Sequence, residues 1–405
     1  MTSHKNLRIL AIKAQILNTQ LYVESGTIKP LTELATRGHQ VTLFASTISK
    51  PTRRATTSLS LKLVQMRNWV PLLSLIYFEL AAFRHLLASI AHIDVLILDP
   101  TSVPMLFPII FLRRLCSPFP TILLHVESNV VYVGNPIREA LCDFVDVLWT
   151  QFSSIAFDKI LYISPMLSEL YHELYRVPAE KAGVWPTVVE ASFSESIDTV
   201  QTDDLRRRLG LGRQYGFLYH GALRIEGGLE LVKAFRILRE WSVNAILIIV
   251  GYGSDREVFA HYIKQHHLED TVKLLGPVDH TEIPKYISAC DAGIVPLPDN
   301  IRWRYQCPIK LLELLAMNKP VIVSDIPAHR WIIGNAPVAF FLRGTDPLSI
   351  AEGIREFLAI RCKLNPALGP DIVRERFTPQ RIADSLEKQI LSRQTNGSLT
   401  ASNAR

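Results

Sequence analysis

At 405 residues, 48% hydrophobic and 20% charged, the chain has the make-up of a globular protein large enough to bury two cores. Its five cysteines, Cys116, Cys142, Cys290, Cys307 and Cys362, show no Cys-x-x-Cys spacing, which argues against a disulfide framework or a zinc site and for reduced thiols in a cytoplasmic setting. Net charge is +6 but unevenly placed, with 13 Lys/Arg against 5 Asp/Glu in residues 1–120, so an anionic surface or substrate is expected near that half.

Residues 7–12 read as the opening strand. The loop after it ends Glu24-Ser25-Gly26, where the glycine either lets backbone approach a phosphate or sugar or simply turns the chain. Leu31, Leu34 and Ala35 mark a helix face, Arg37-Gly38-His39 closes that helix, and residues 41–45 form the second strand. Residues 70–90 are apolar but broken by Glu79, Arg84 and His85, so they read as one or two helices and not a membrane span. Residues 94–98 form a buried strand. Residues 103–115 are apolar and end in Arg113-Arg114, the pattern of an interfacial helix or of a helix packed on the sheet. The strand 121–125 ends on His125, at the edge where open parallel sheets hold ligands, although a histidine there can also cap backbone. Glu127 stands two residues on and could orient or charge-tune it. Residues 146–148 and 159–163 read as further strands, and Ser164-Pro165 begins a helix through Tyr175. From residue 192 the chain is polar without apolar period, a linker taken to run to 215.

The second half repeats the alternation, with strands at 217–219, 245–250 and 272–274 and a helix over 229–241, as expected for parallel sheet built by right-handed crossovers. The loop His220-Gly221-Ala222-Leu223-Arg224-Ile225-Glu226-Gly227-Gly228 follows a strand and precedes a helix, a setting for phosphate, and Arg224 is its only cation. Gly251-Tyr252-Gly253 also follows a strand, but the third glycine of a dinucleotide fingerprint is Arg256, so NAD is not expected. Residues 292–296 and 321–323 are strands. Between them Ile309, Leu312, Leu315 and Ala316 fall at helical spacing, with Pro308 suited to the first turn and Asn318-Lys319-Pro320 as the stop. The loop before Pro308 thus ends on free N–H groups and the positive end of a helix dipole, where a diphosphate fits. Lys310 sits in that first turn, misplaced electrostatically unless an anion meets it. Glu313, one turn on, can accept hydrogen bonds from a diol such as ribose; the plainer alternative is a solvated Lys310–Glu313 pair. Residues 348–358 read as a helix, and Phe377-Thr378-Pro379 starts a final one.

The segment 291–325, with its Pro-x-Lys-x-x-Glu at 308–313 and Lys-Pro-Val-Ile at 319–322, resembles the donor-binding segment of the GT4-type retaining glycosyltransferases (glycosyltransferase group 1). The loops at 220–228 and 251–253, Gly276-Pro277-Val278, the Arg-Gly-His turn and Gly26 follow the same family in order. The resemblance implies an α/β chain of GT-B fold, two Rossmann-like parallel-sheet domains facing a central cleft. The domains would be an N-terminal acceptor-side one at 1–191 and, after the linker at 192–215, a C-terminal nucleotide-sugar-binding one at 216–376. A helix at 377–391 would cross back to the first domain, and 392–405 would be a disordered tail. It implies catalytic roles for His125, Arg224 and Lys310. Donor binding would fall to Gly26, Gly221, Gly251, Val278, Cys307, Pro308, Ile309, Lys310 and Glu313, with no metal and no cofactor. Three family positions differ here: Tyr305 stands for a first glutamate, and Ala222 and Gly227 stand for an arginine and a lysine.

The activity implied is transfer of a sugar from a nucleotide-sugar to a glycan or lipid-linked acceptor with retention. The alternatives are a catalytically degenerate GT-B partner or scaffold, or a nucleotide-sugar epimerase or hydrolase. Residues 1–5 lead straight into the first strand without a signal peptide pattern. A cytoplasmic protein is expected, peripheral at an anionic membrane face. Nucleic acid is not expected, because no aromatic-interleaved basic run occurs.

Overall fold

The computed structural model describes residues 6–16, 24–47, 58–65, 71–100, 109, 112, 119–127, 156–194 and 199–402. Apart from Ile109 and Leu112, the expected segment 103–115 lies outside them, as does the expected strand 146–148. The chain divides into two compact units, residues 1–188 with 379–405, and residues 189–378.

The first unit is built on a seven-stranded parallel sheet. Its strands are β1 (Arg8–Ile16), β2 (Gln40–Thr47), β3 (Ser60–Gln65), β4 (Val95–Leu98), β5 (Thr121–Val126), β6 (Lys159–Tyr162) and β7 (Ala182–Val184), in the order β3-β2-β1-β4-β5-β6-β7. Ile9, Leu10, Ala11 and Ile12 of β1 are all buried, as a strand covered on both faces requires. The helix Lys29–Thr36 buries Pro30, Leu31, Leu34 and Ala35. Against that side of the core the last helix, Pro379–Ser402, brings Ile382, Ala383, Leu386 and Ile390. Arg37 fixes the pairing, donating to Asp384 at 2.7 Å, to Glu387 at 3.1 Å and to the Gln380 carbonyl at 3.0 Å. The tail expected to be disordered from 392 instead continues this helix to Ser402. Residues 392–402 hold no proline and a single glycine, Gly397, so nothing in them forces a stop. Residues 71–89 form one helix, Pro71–Ser89. Among the described residues no helix is long and apolar enough to cross a membrane.

The second unit carries a six-stranded parallel sheet: β8 (Tyr215–Ala222), β9 (Ala245–Tyr252), β10 (Val272–Leu274), β11 (Ala292–Val295), β12 (Val321–Ser324) and β13 (Ala339–Leu342), in the order β10-β9-β8-β11-β12-β13. Phe217, Phe235 and Phe357 meet at its centre with ring separations of 5.8 and 6.0 Å. The helix Glu230–Glu240 contributes Leu231, Val232, Ala234, Phe235 and Leu238, one face at helical spacing. The region 192–215, expected as a linker, instead contains the helix Thr199–Arg208. Arg206 ties that helix to the second unit, donating to the Ala289 carbonyl at 2.8 Å, Asp291 at 3.0 Å and the Gln214 carbonyl at 3.0 Å. A search for apolar period passes over such a helix because its attachment is polar. In both sheets the order reverses beside the first strand, β1 next to β4 and β8 next to β11, and loops leaving the carboxyl ends there diverge to leave a crevice.

Candidate active site

In the second unit that reversal brings together the loop after β8 and the helix Ile309–Ala316. Pro308 is the N-cap, just before the first turn in which it was expected, and Cys307 before it is buried. Lys310, half-buried, lies with Nζ 4.2 Å from the centroid of the Tyr219 ring. A Cβ on Gly221 would sit 3.6 Å from the same Nζ, so the ammonium rests over the end of β8. No carboxylate pairs with Lys310 among the described residues.

Glu313 is not the solvated partner of Lys310. Its side chain is 2% exposed; Oε1 accepts from His280 Nε2 at 2.6 Å, and Oε2 lies 3.6 Å from His220 Nδ1. Burial lowers the pKa of His220 to about 4 against the opposing pull of Glu313, so the ring is neutral near pH 7. His329 is lowered to about 4 in the same way, and its Nδ1–H donates to the Ser324 carbonyl at 2.8 Å. His280, His220, His329 and Tyr219 were not singled out from sequence as members of this site. His220 follows an apolar strand and could have been flagged; His280 is joined to Glu313 only by the fold.

Two glycines of these loops, the expected donor-binding Gly251 and Gly227 at the family's lysine position, have a packing reason. Gly251 pairs with Gly221 across β8 and β9, and a Cβ there would stand 1.9 Å from the Gly221 carbonyl oxygen, a clash with backbone that no rotamer relieves. Gly227, at φ +79°, would place a Cβ 2.5 Å from the Pro296 carbonyl oxygen. The lysine implied at this position therefore has no room. Arg224 is exposed at the turn before Ile225 and forms no ion pair among the described residues. Val278, half-buried, lies on the loop after β10, two residues before His280.

In the first unit, β5 places His125 where expected, at its carboxyl end, but 1% exposed. Its ring stacks on Trp185 at 4.0 Å, Nε2 donates to the Trp185 carbonyl at 3.2 Å, and Nδ1 lies 3.3 Å from Lys13 Nζ. Burial, then the Lys13 charge, lower its pKa to about 3. In this arrangement the ring is neutral and both of its nitrogens are engaged within the protein. The centre of this cluster is Lys13, wholly buried, which donates to Thr27 Oγ1 at 2.6 Å and Glu127 Oε1 at 2.6 Å as well as to His125. Three protons meet three acceptors. The Lys13 charge overcomes burial to hold the Glu127 carboxyl low, at about 2. Gly26 leaves space for that carboxylate, since a Cβ there would stand 3.0 Å from Glu127 Oε1. Among the described residues no cluster of three His, Cys, Asp or Glu side chains is suited to a metal.

A strand–loop–helix with a cation in the first turn and a buried glutamate one turn on defines the segment most comparable with known proteins. Residues 201–370 match the family Glycosyl transferases group 1. A curated relative, an uncharacterized glycosyltransferase of Methanocaldococcus jannaschii, is 25% identical over 211 residues, 50% of this chain and 51% of that protein. The chain thus spans about half the length of that relative. Solved structures match over nearly the whole chain. Sucrose-phosphate synthase from Thermosynechococcus elongatus superimposes with a TM-score of 0.74 at 16% identity, covering 97% of this chain and 100% of that one. The Anabaena protein HepE in complex with UDP and glucose gives 0.72 at 14%, covering 96% and 100%. At such identities the likeness is one of fold, and the fold is GT-B, as expected. The group 1 match covers the whole sheet of the second unit and both Lys310 and Glu313.

Proposed function

We propose that the protein is a GT4-type glycosyltransferase, moving a sugar from a nucleotide-sugar to an acceptor with retention of configuration. The observation that carries this is the pairing, on one helix start in a group 1 domain, of the carboxylate-free Lys310 with the buried Glu313. Lys310, the free N–H groups after Pro308 and the exposed Arg224 neutralise the leaving diphosphate, whose charge grows as the glycosyl bond breaks. Glu313 accepts from the ribose. Gly227 excludes the usual lysine, so Arg224 takes over its charge. The HepE complex with UDP and glucose and the second unit's topology support a donor of this class.

The test is nucleotide release from UDP-, GDP- and ADP-sugars, with and without added glycan acceptors. Lys310→Ala and Arg224→Ala are each expected to cut turnover by about 10²-fold or more, the scale of losing a group that stabilises transition-state charge. Normal turnover in both variants rejects the assignment of the diphosphate site.

We further infer a lipid-linked acceptor, reached by peripheral attachment at the cytoplasmic face of a membrane. On the helix Pro71–Ser89 of the first unit, Ile76, Tyr77, Leu80 and Leu87 are exposed beside Arg84, in the half of the chain that carries the basic excess. An apolar face next to cations suits an anionic interface.

A further inference from the structure

Glu313 is too deeply buried to receive a ligand as it stands. With its side chain 2% exposed and Oε1 held at 2.6 Å by His280, no hydroxyl reaches the carboxylate unless a neighbour gives way. His220 is fixed in β8 with its side chain 5% exposed. His280 is different: its side chain is 25% exposed, and it begins the three-residue turn His280–Glu282. That turn is held without it, since Asp279 Oδ1 accepts from the Thr281 N–H at 3.0 Å and from Thr281 Oγ1 at 2.7 Å. The Phe193 ring, 5.3 Å from the imidazole, offers a surface beside it.

We propose that His280 is a positioning residue that latches Glu313 until the donor binds and is displaced by the ribose of the donor. The inference rests on the reading of Glu313 as the ribose contact and adds the group that competes for it. In the arrangement described, the Nε2–H of His280 donates to Oε1. On nucleotide entry a 2′- or 3′-hydroxyl donates to that oxygen, and the imidazole turns towards solvent alongside Phe193. A carboxylate kept hydrogen-bonded in both states avoids a buried, unsatisfied charge between turnovers. The latch also confers selectivity, because only a nucleotide carrying the diol can replace the bond that it breaks.

The experiment is calorimetric titration of the full chain with UDP, GDP and ADP and with their 2′,3′-dideoxy counterparts. In the wild-type protein the ribonucleotide that binds is expected to bind more tightly than its dideoxy form. His280→Ala removes the competing donor and is expected to tighten ribonucleotide binding roughly tenfold while leaving the dideoxy form unchanged. His280→Phe keeps a ring against Phe193 without the donor and is expected to behave alike, which covers a folding defect in the alanine variant. A purely structural role for His280 weakens both nucleotides together, and that result overturns the latch; so does unchanged ribonucleotide affinity in both variants. The reading beneath it fails differently. Equal binding of ribo- and dideoxynucleotides by wild type, with no effect of Glu313→Ala, removes Glu313 from the ribose and the latch with it. Failure of all three ribonucleotides to bind wild type overturns the donor site itself.

Discussion

Glu79, on the helix Pro71–Ser89, is buried with neither carboxyl oxygen hydrogen-bonded among the described residues. Burial, and next the nearby charge of Asp99, push its pKa up to about 8 from an ordinary 4.5. Between these values the folded state holds a proton that the unfolded state has lost, so this group makes the protein less stable as pH rises from 4.5 to 8. His125, His220 and His329, lowered to between about 3 and about 4, act in the opposite sense: the unfolded chain takes up protons below its ordinary 6.5, and stability falls as the pH drops through that range. Glu79→Gln is therefore expected to leave stability nearly unchanged near pH 4.5 and raise it at pH 8 by on the order of 4 kcal/mol, while the acid-side loss persists. Urea unfolding of both proteins at the two pH values checks this; equal stability at pH 8 contradicts it. Lys310, Glu313 and Arg224 were legible as residues because chain order placed them around a helix start. Lys13 was not, because a lysine in a strand reads as solvent-facing until Glu127, 114 residues away, is seen to meet it. Gly251 read as ligand-facing for a related reason: the backbone that crowds it belongs to Gly221, on the neighbouring strand β8.

At the scale of elements, the central strands could be read from sequence because they are apolar on both faces. The strands β3, β7 and β13 could not: they lie at the sheet edges, and their residues are mostly half-buried or exposed. The final helix was legible as a helix, its continuation past 391 was not, and its role depends on Leu386 and its neighbours in the core of the first unit. Leu386→Ala should cost roughly 2 to 5 kcal/mol, the range for truncating a buried leucine. Hydrogen exchange localises the effect: faster exchange is expected in residues 29–36 and 379–390, with 216–376 unchanged. Equal acceleration in both units would refute that assignment.

For the whole molecule, the membrane proposal makes a prediction of its own. Co-sedimentation with liposomes containing anionic lipid is expected at low salt and should weaken as salt is raised, since each basic side chain near such a surface contributes about 1 kcal/mol that screening removes. Leu80→Glu, at a position 65% exposed, is expected to abolish it without disturbing the fold. No binding to any liposome rejects the proposal. The division of the chain has a separate consequence. The first unit takes its opening residues from 1–188 and its closing helix from 379 onward, so the second unit is an insertion between two parts of the first. Emerging from a ribosome, residues 189–378 can close their own compact unit as soon as they leave the exit tunnel. The earlier half has to wait, with Leu31 and Leu34 uncovered, for residues 379–390 to be made. The unit that begins first is completed after the second, and a message cut short just after residue 378 would yield an intact second unit tethered to an unfinished first.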